Sequence, residues 1–362
     1  MQRIPFGIRH ALVVLCQSLG LLIVAFSNTV SESLTGVVFA SLGAGIGAVN
    51  CLALSSHFPK SVVAMWSTGS GAAGITSSLS YAAFTEPHFA HLSTKTTLLI
   101  MLIIPFFYSI AYWIILEIPD TVHKIQILNP KTYIIKDIIH HSNDNQSNEN
   151  KKADTIVEVA EKDCPEMKTA EIVVEKNDKK ALTFVSKLKL FVILRKFTFP
   201  IFLVYFAQFL INQGLTQLTY FNCSHGFNLS LHSQYRWFQV IYQLGDFISR
   251  STVHFFHLPQ FLLFLCPVLQ LTNATFLIFN AILAFVPHIG IIFPILFFEG
   301  LIAGSTYGNT FYRIHTEIAP NIKEFAMSTI TVSNGLGIVF AAFSAIPLHN
   351  FICDQQISRM FS

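Results

Sequence analysis

Glu299 stands in the middle of the apolar run "FPILFFEGLIAG", with no basic residue one turn away. An ionisable side chain inside such a run is expensive in lipid unless it is paired or wet, so it is a functional candidate by default. A proton-coupled site would use such a group, and a structural hydrogen bond to another helix is the plain alternative. Asp246 and Arg250 are four residues apart in "LGDFISRS". That spacing puts them on one helix face, where pairing offsets the cost of each. Arg250 is expected near a membrane boundary, where its guanidinium can reach the interface or hold a phosphate by two parallel bonds. Arg236 in "QYRW" lies between Tyr235 and Trp237, which reads either as an aromatic belt or as a gate. Asn212 and Gln213 in "FLINQGL" are amides beside Gly214. Buried amides need partners, and they can line a cavity.

The stretch "WSTGSGAAG" places Ser67, Thr68, Gly69, Ser70 and Gly71 within an apolar run. Small residues let helix backbones approach, and hydroxyls bond across helices. The same residues suit a helix broken at mid-membrane, where free N–H groups and a helix N-terminus hold an anion. Both readings stand at this point. Gly43, Gly45 and Gly47 in "SLGAGIGAV" have neither the spacing nor the preceding strand of a dinucleotide fingerprint, and they read as packing glycines.

Spanning helices have to position these groups. Of 362 residues, 52% are hydrophobic, 12% are charged, 35 are Phe, and the mean hydropathy is +0.54. A soluble domain carries about twice that share of charge. Apolar runs near the length that crosses a bilayer occur at 10–26, 34–54, 62–84, 96–118, 198–219, 235–256, 259–280, 288–311 and 325–347. The sixth is the weakest, because it carries Arg236, Asp246 and Arg250. The first is not a signal peptide, since it has no clear small-residue cleavage site and eight more runs follow.

A polar insert, 119–195, separates a four-span bundle (1–118) from a five-span bundle (196–362). Its "HHSNDNQSNENKKAD" is too polar to build a core and reads as disordered. Its end, "LTFVSKLKLFVILRKF", reads either as a stretch lying along the cytosolic leaflet or as the basic flank of the next span. With a cytosolic N-terminus, all but Lys95, Arg236 and Arg359 of the 23 basic residues fall on the cytosolic side, as the positive-inside rule prefers. The loop "YFNCSHGFNLSLHSQ" is then lumenal, and its two sequons, at Asn222 and Asn228, are glycosylation candidates. A third match, at Asn273, falls inside an apolar run and reads as chance. The six cysteines form no zinc or CxxC pattern. A Cys223–Cys353 disulfide is the one pairing considered, and it is not expected.

The blocks "SNTVSESLTGVVFASLGAGIGAV", "MWSTGSGAAG", "FLINQGLTQL", "SQYRWFQVIYQLGDFISRS", "EGLIAGSTYGNTF", "EFAMSTITVSNGLGI" and "PLHNFIC" follow in order. Together they resemble the battenin family over nearly the whole chain outside the insert. The resemblance implies a lysosomal or vacuolar membrane protein with a major-facilitator-like fold of eleven spans, so this chain is expected to lack the first two. It also implies links to glycerophosphodiester clearance, lumenal pH, basic amino acid transport and autophagy. Two positions depart from the family pattern: Gln208 and Asn334 stand where relatives carry acids, which puts proton coupling in doubt. Asp246 lies where relatives can be apolar and could compensate. The insert has no acidic dileucine signal and the C-terminus no prenylation box.

The expectation is an all-α, polytopic helical membrane protein with a major-facilitator-like bundle of about nine spans. Its leading function is transport of a small anionic or zwitterionic solute out of the lysosome. The expected site is formed by Ser67, Thr68, Gly69, Ser70, Gly71, Asn212, Gln213, Asp246, Arg250 and Glu299. A non-transporting organiser, acting through the insert on cytosolic trafficking proteins, is the alternative. With no paired catalytic acids, no HxxxD-like pair and no metal cluster in the sequence, an enzyme ranks low. Lipid is the expected surrounding, and neither a cofactor, a metal nor a nucleic acid partner is expected.

Overall fold

The computed structural model describes residues 4–86, 89–119, 122, 157–161, 170–174, 184–222, 224–253 and 255–361. Among them the chain forms nine long helical rods. The first three are α1 (Phe6–Phe26), α2 (Val30–Ser55) and α3 (Lys60–Thr85). The fourth joins α4 (Thr94–Met101), α5 (Ile103–Ile110) and a π-helical end (Ala111–Ile115). The fifth joins α6 (Phe184–Phe209), a π-helical turn (Leu210–Leu215) and a 3₁₀ turn (Thr216–Leu218). The last four are α7 (Leu231–Thr252), α8 (Gln260–Leu283), α9 (Ile289–Glu317) and α10 (Pro320–Phe361).

Local chemistry sets the starts. Pro5, Pro59 and Pro259 precede α1, α3 and α8; proline has no N–H to satisfy and a φ that directs the chain into a first turn. α2 opens on a reciprocal capping box. The Glu32 N–H donates to Thr29 Oγ1 and the Thr29 N–H donates to Glu32 Oε2, each at 3.3 Å. The Ser230 and His288 side chains cap α7 and α9.

Each of the nine expected spans coincides with a rod, with shifted ends. α10 runs 42 residues, well past the expected 325–347. The run expected over 235–256 is helical over Leu231–Thr252 instead. α6 begins at Phe184 and continues unbroken into the span, so residues 184–197 of the basic stretch supply the leading part of a rod. A separate element along the leaflet is thereby corrected: the alternating basic and apolar residues continue the helix into the bundle. Most of the insert, including the polar 140–154, lies outside the described residues. Within it, β1 (Val157–Glu161) pairs antiparallel with β2 (Ala170–Val174), Val157 opposite Val174.

Seven rods are long and apolar enough to cross a membrane, among the described residues. α3 and α7 are the two that fall short, and they pack on each other and on α9. Ser67 of α3 and Gln234, Asp246, Ser249 and Arg250 of α7 are buried against protein, which offsets the cost of their polarity. The buried core that joins the halves includes Leu52 and Val63 with Leu194, Phe197, Tyr307 and Ile314. Cys353 has a free thiol among the described residues; Cys223, the other half of the pairing considered, lies outside them.

Candidate functional site

α7 and α9 cross with backbone against backbone. A Cβ on Gly245 would collide with the Phe297 carbonyl, and one on Gly300 with the Tyr242 carbonyl and, at 2.7 Å, the Asp246 nitrogen. This close crossing brings the α7 ion pair beside the α9 carboxylate. Asp246 and Arg250 pair as their spacing predicts, with Arg250 Nε 2.7 Å from Asp246 Oδ2.

Arg250 does not snorkel. It is 9% exposed and points into the seam between the halves. It donates through Nη1 to Ser70 Oγ at 2.8 Å and through Nη2 to Tyr205 Oη at 3.1 Å. Its guanidinium carbon lies 4.1 Å from the centre of the Tyr307 ring. Trp66 Nε1 donates to Tyr307 Oη at 3.2 Å. The cation therefore ties α3, α6, α7 and α9 together. Arg250 stands in the last turn of α7, and only the outward reach of its side chain is corrected: the guanidinium turns to four polar and aromatic neighbours inside the bundle.

Glu299 is 0% exposed, and two amides donate to its Oε1. Asn212 Nδ2 lies at 2.7 Å and Gln270 Nε2 at 3.4 Å. Its Oε2 and the Oδ1 of Asp246 have no hydrogen-bond partner among the described groups. Gln208 donates to the Tyr242 hydroxyl, one turn from Asp246, so this amide is a buried structural donor. Asn212 is carried by the π-helical turn, and its carbonyl accepts from Gln239 Nε2 at 3.2 Å. Single π turns often mark functional positions in helices.

The structure brings together Ser70, Asp246 and Arg250, with Gly71 packed against the Arg250 side chain, and brings Asn212 to Glu299. Ser67 touches the first group through its carbonyl, which accepts from Ser70 Oγ at 2.8 Å. Gln213 is exposed and is not a companion of Asn212: consecutive helical side chains diverge, so only one of the two amides can face the seam. Of the two readings of "WSTGSGAAG", the broken helix is corrected, because α3 is continuous through Ser67, Thr68, Gly69, Ser70 and Gly71. Gly71 serves packing. A Cβ on Gly71 would lie 2.9 Å from Phe247 Cα and 3.1 Å from Arg250 Cδ. Gly69 meets nothing within 4 Å. Ser67 is 1% exposed, and both its hydroxyl and that of Thr68 are buried and unpartnered among the described groups.

Sequence reasoning passed over Gln270, Tyr205, Tyr242 and Tyr307, which are unremarkable one at a time. The available signal was spacing: Tyr205, Gln208 and Asn212 repeat at three and four residues, which puts polar groups on one face of an otherwise apolar rod. It also passed over Glu86. Its Oε2 accepts from Arg236 Nη2 at 2.7 Å and its Oε1 accepts from Ser233 Oγ at 2.9 Å, joining the end of α3 to the start of α7. Asn222 and Asn228 are both exposed in the loop before α7, whereas Asn273 is inside α8.

Nine rods around a polar interior seam define a multi-pass helical membrane protein. Residues 1–355 match the family model described as CLN3 protein. Battenin of Canis lupus familiaris is 33% identical over 352 residues, covering 97% of this chain and 72% of that protein. Protein btn-1 of Neurospora crassa is 29% identical over 373 residues, covering 99% and 78%. Protein btn1 of Schizosaccharomyces pombe is 26% identical over 364 residues, covering 99% and 81%. The chain belongs to the CLN3 protein family, which includes battenin.

Proposed function

We propose that this chain is a transporter in the lysosomal membrane that moves a small anionic or zwitterionic solute out of the lumen, with glycerophosphodiesters the favoured class. The observation that carries this reading is the buried Arg250, which bonds to Ser70 of one half and Tyr205 of the other. A cation held between two helix bundles is where a phosphodiester would find its counter-charge. Asp246, Glu299 and Asn212 complete the polar seam. In this reading the N-terminus is cytosolic, the insert is cytosolic, and the loop carrying Asn222 and Asn228 is lumenal and glycosylated. The four-span and five-span bundles act as the two halves of a major-facilitator-like carrier.

The test is the glycerophosphodiester content of lysosomes purified from battenin-null cells, with and without this chain, its arrival checked by microscopy. A fall on expression supports the reading. Unchanged content in lysosomes that hold the chain, with a full-length relative lowering it in parallel, refutes the reading. Deleting 140–180 should leave the fall intact; its loss on that deletion would favour an organiser acting through the insert.

A further inference from the structure

We infer that Asp246 is the proton-binding residue of the seam, and that its protonation releases Arg250 to take the solute anion in its place. The inference rests on the transport reading and deepens it by naming the coupling.

The argument begins with charge. Arg250 is held by one full negative charge, Asp246 at 2.7 Å, and otherwise by neutral hydroxyls and a ring face. The charged and titratable groups facing Asp246 are Arg250 and Tyr242 on its own helix, Tyr205 on α6, and Tyr307 and Glu299 on α9. α3 contributes the neutral Ser70 hydroxyl. Arg250 is therefore the cation in this set, and a bound anion has to compete with Asp246 for it. An anion added to the intact pair would leave an uncompensated negative charge in a water-poor site, which is costly. Protonating Asp246 removes that conflict. One proton binds the carboxylate, the carboxylate loses its charge, and one monoanion takes up the freed guanidinium. The net charge of the seam is the same before and after.

Ser67, one turn before Ser70 on α3, has a buried hydroxyl with no partner among the described groups, and a hydroxyl can donate to a phosphate oxygen. Glu299 is a weaker candidate for the exchange because its partners are the Asn212 and Gln270 amides; protonating it frees no cation. On the acid side Asp246 takes a proton and the anion loads. On the neutral side the proton leaves, the ion pair re-forms and the anion is expelled. A phosphodiester carries one negative charge, which matches one proton.

The test uses the full chain in liposomes preloaded with radiolabelled glycerophosphoglycerol, acid inside and neutral outside, with the membrane potential clamped at zero. One proton per monoanion permits roughly tenfold accumulation per unit of pH difference. Wild type should show efflux driven by the gradient, and a trapped pH dye should report one proton leaving per solute. Asp246→Asn should lose the response of solute movement to the gradient. Gradient-driven efflux that persists in Asp246→Asn overturns the inference, as does a response removed by Glu299→Gln but not by Asp246→Asn. If Asp246→Asn does not fold, the wild-type proton count decides: solute efflux without proton flux overturns the inference while leaving the transport reading intact. No solute movement by wild type overturns both.

Discussion

Glu86 and Arg236 join the far ends of α3 and α7 by a 2.7 Å ion pair, across 150 positions of sequence. Ser233 completes it: its hydroxyl donates to Glu86 Oε1 and accepts from Arg236 Nη2 at 3.0 Å. Together with the bond from Arg250 to Ser70, this fastens α3 to α7 at two heights along the seam.

Breaking one side of that pair should be costly. Glu86 is nearly buried and Arg236 is only partly exposed, so the remaining partner is left poorly solvated. Glu86→Gln and Arg236→Gln should each lower stability by about 1–3 kcal/mol, read as a drop in thermal unfolding temperature in detergent. The exchanged pair Glu86→Arg with Arg236→Glu should recover part of the loss. No recovery, with equal losses in all three proteins, would mean the pair has no stabilising role.

The glycines of α3 should separate by face. Gly71→Leu forces a side chain into Phe247 and Arg250 and should reduce folded protein, since overpacking of this kind costs about 1–3 kcal/mol or more. Gly69→Ala faces open space and should fold at least as well as wild type, because alanine favours the helix by about 1 kcal/mol. The yield of monodisperse protein on size exclusion distinguishes the two.

Glu299 should tolerate an amide better than a methyl. Glu299→Gln keeps a carbonyl oxygen for Asn212 and Gln270, whereas Glu299→Ala takes the acceptor from Gln270 and leaves Asn212 Nδ2 only the Gln208 carbonyl, at about 1–3 kcal/mol. Thermal unfolding should therefore rank wild type and Glu299→Gln above Glu299→Ala. Equal stability of the two variants would mean that the amides find other partners.

Topology has its own test. If the loop before α7 is lumenal, Asn222→Gln and Asn228→Gln should each remove one endoglycosidase-sensitive step in gel mobility, and the double change should remove both. Asn273→Gln, inside α8, should change nothing. Insensitivity of the wild-type band would count against a glycosylated lumenal loop.

The rods were legible in the sequence because length and apolarity alone specify a span. The Asp246–Arg250 pair was legible from its spacing. The seam was not. Which face of α3 meets α7 depends on glycines that admit a backbone at Gly71 and leave Gly69 free, and nothing local distinguishes them. The outward reach expected of Arg250 follows from its position near a helix end, which is visible in sequence, while the Ser70 and Tyr205 that receive it are 180 and 45 positions away. Glu86 was passed over for the same reason. Its partner belongs to another bundle, and the end of an apolar run gives a charge an easy solvated explanation.

The π-helical turn at Leu210–Leu215 has a consequence for phase. Such a turn holds one residue more than an α-helical one, and that surplus offsets the facing of the residues beyond it by about 100° relative to an unbroken α-helix. The rod that carries Asn212 to Glu299 therefore presents two differently phased faces, one before the turn and one after it.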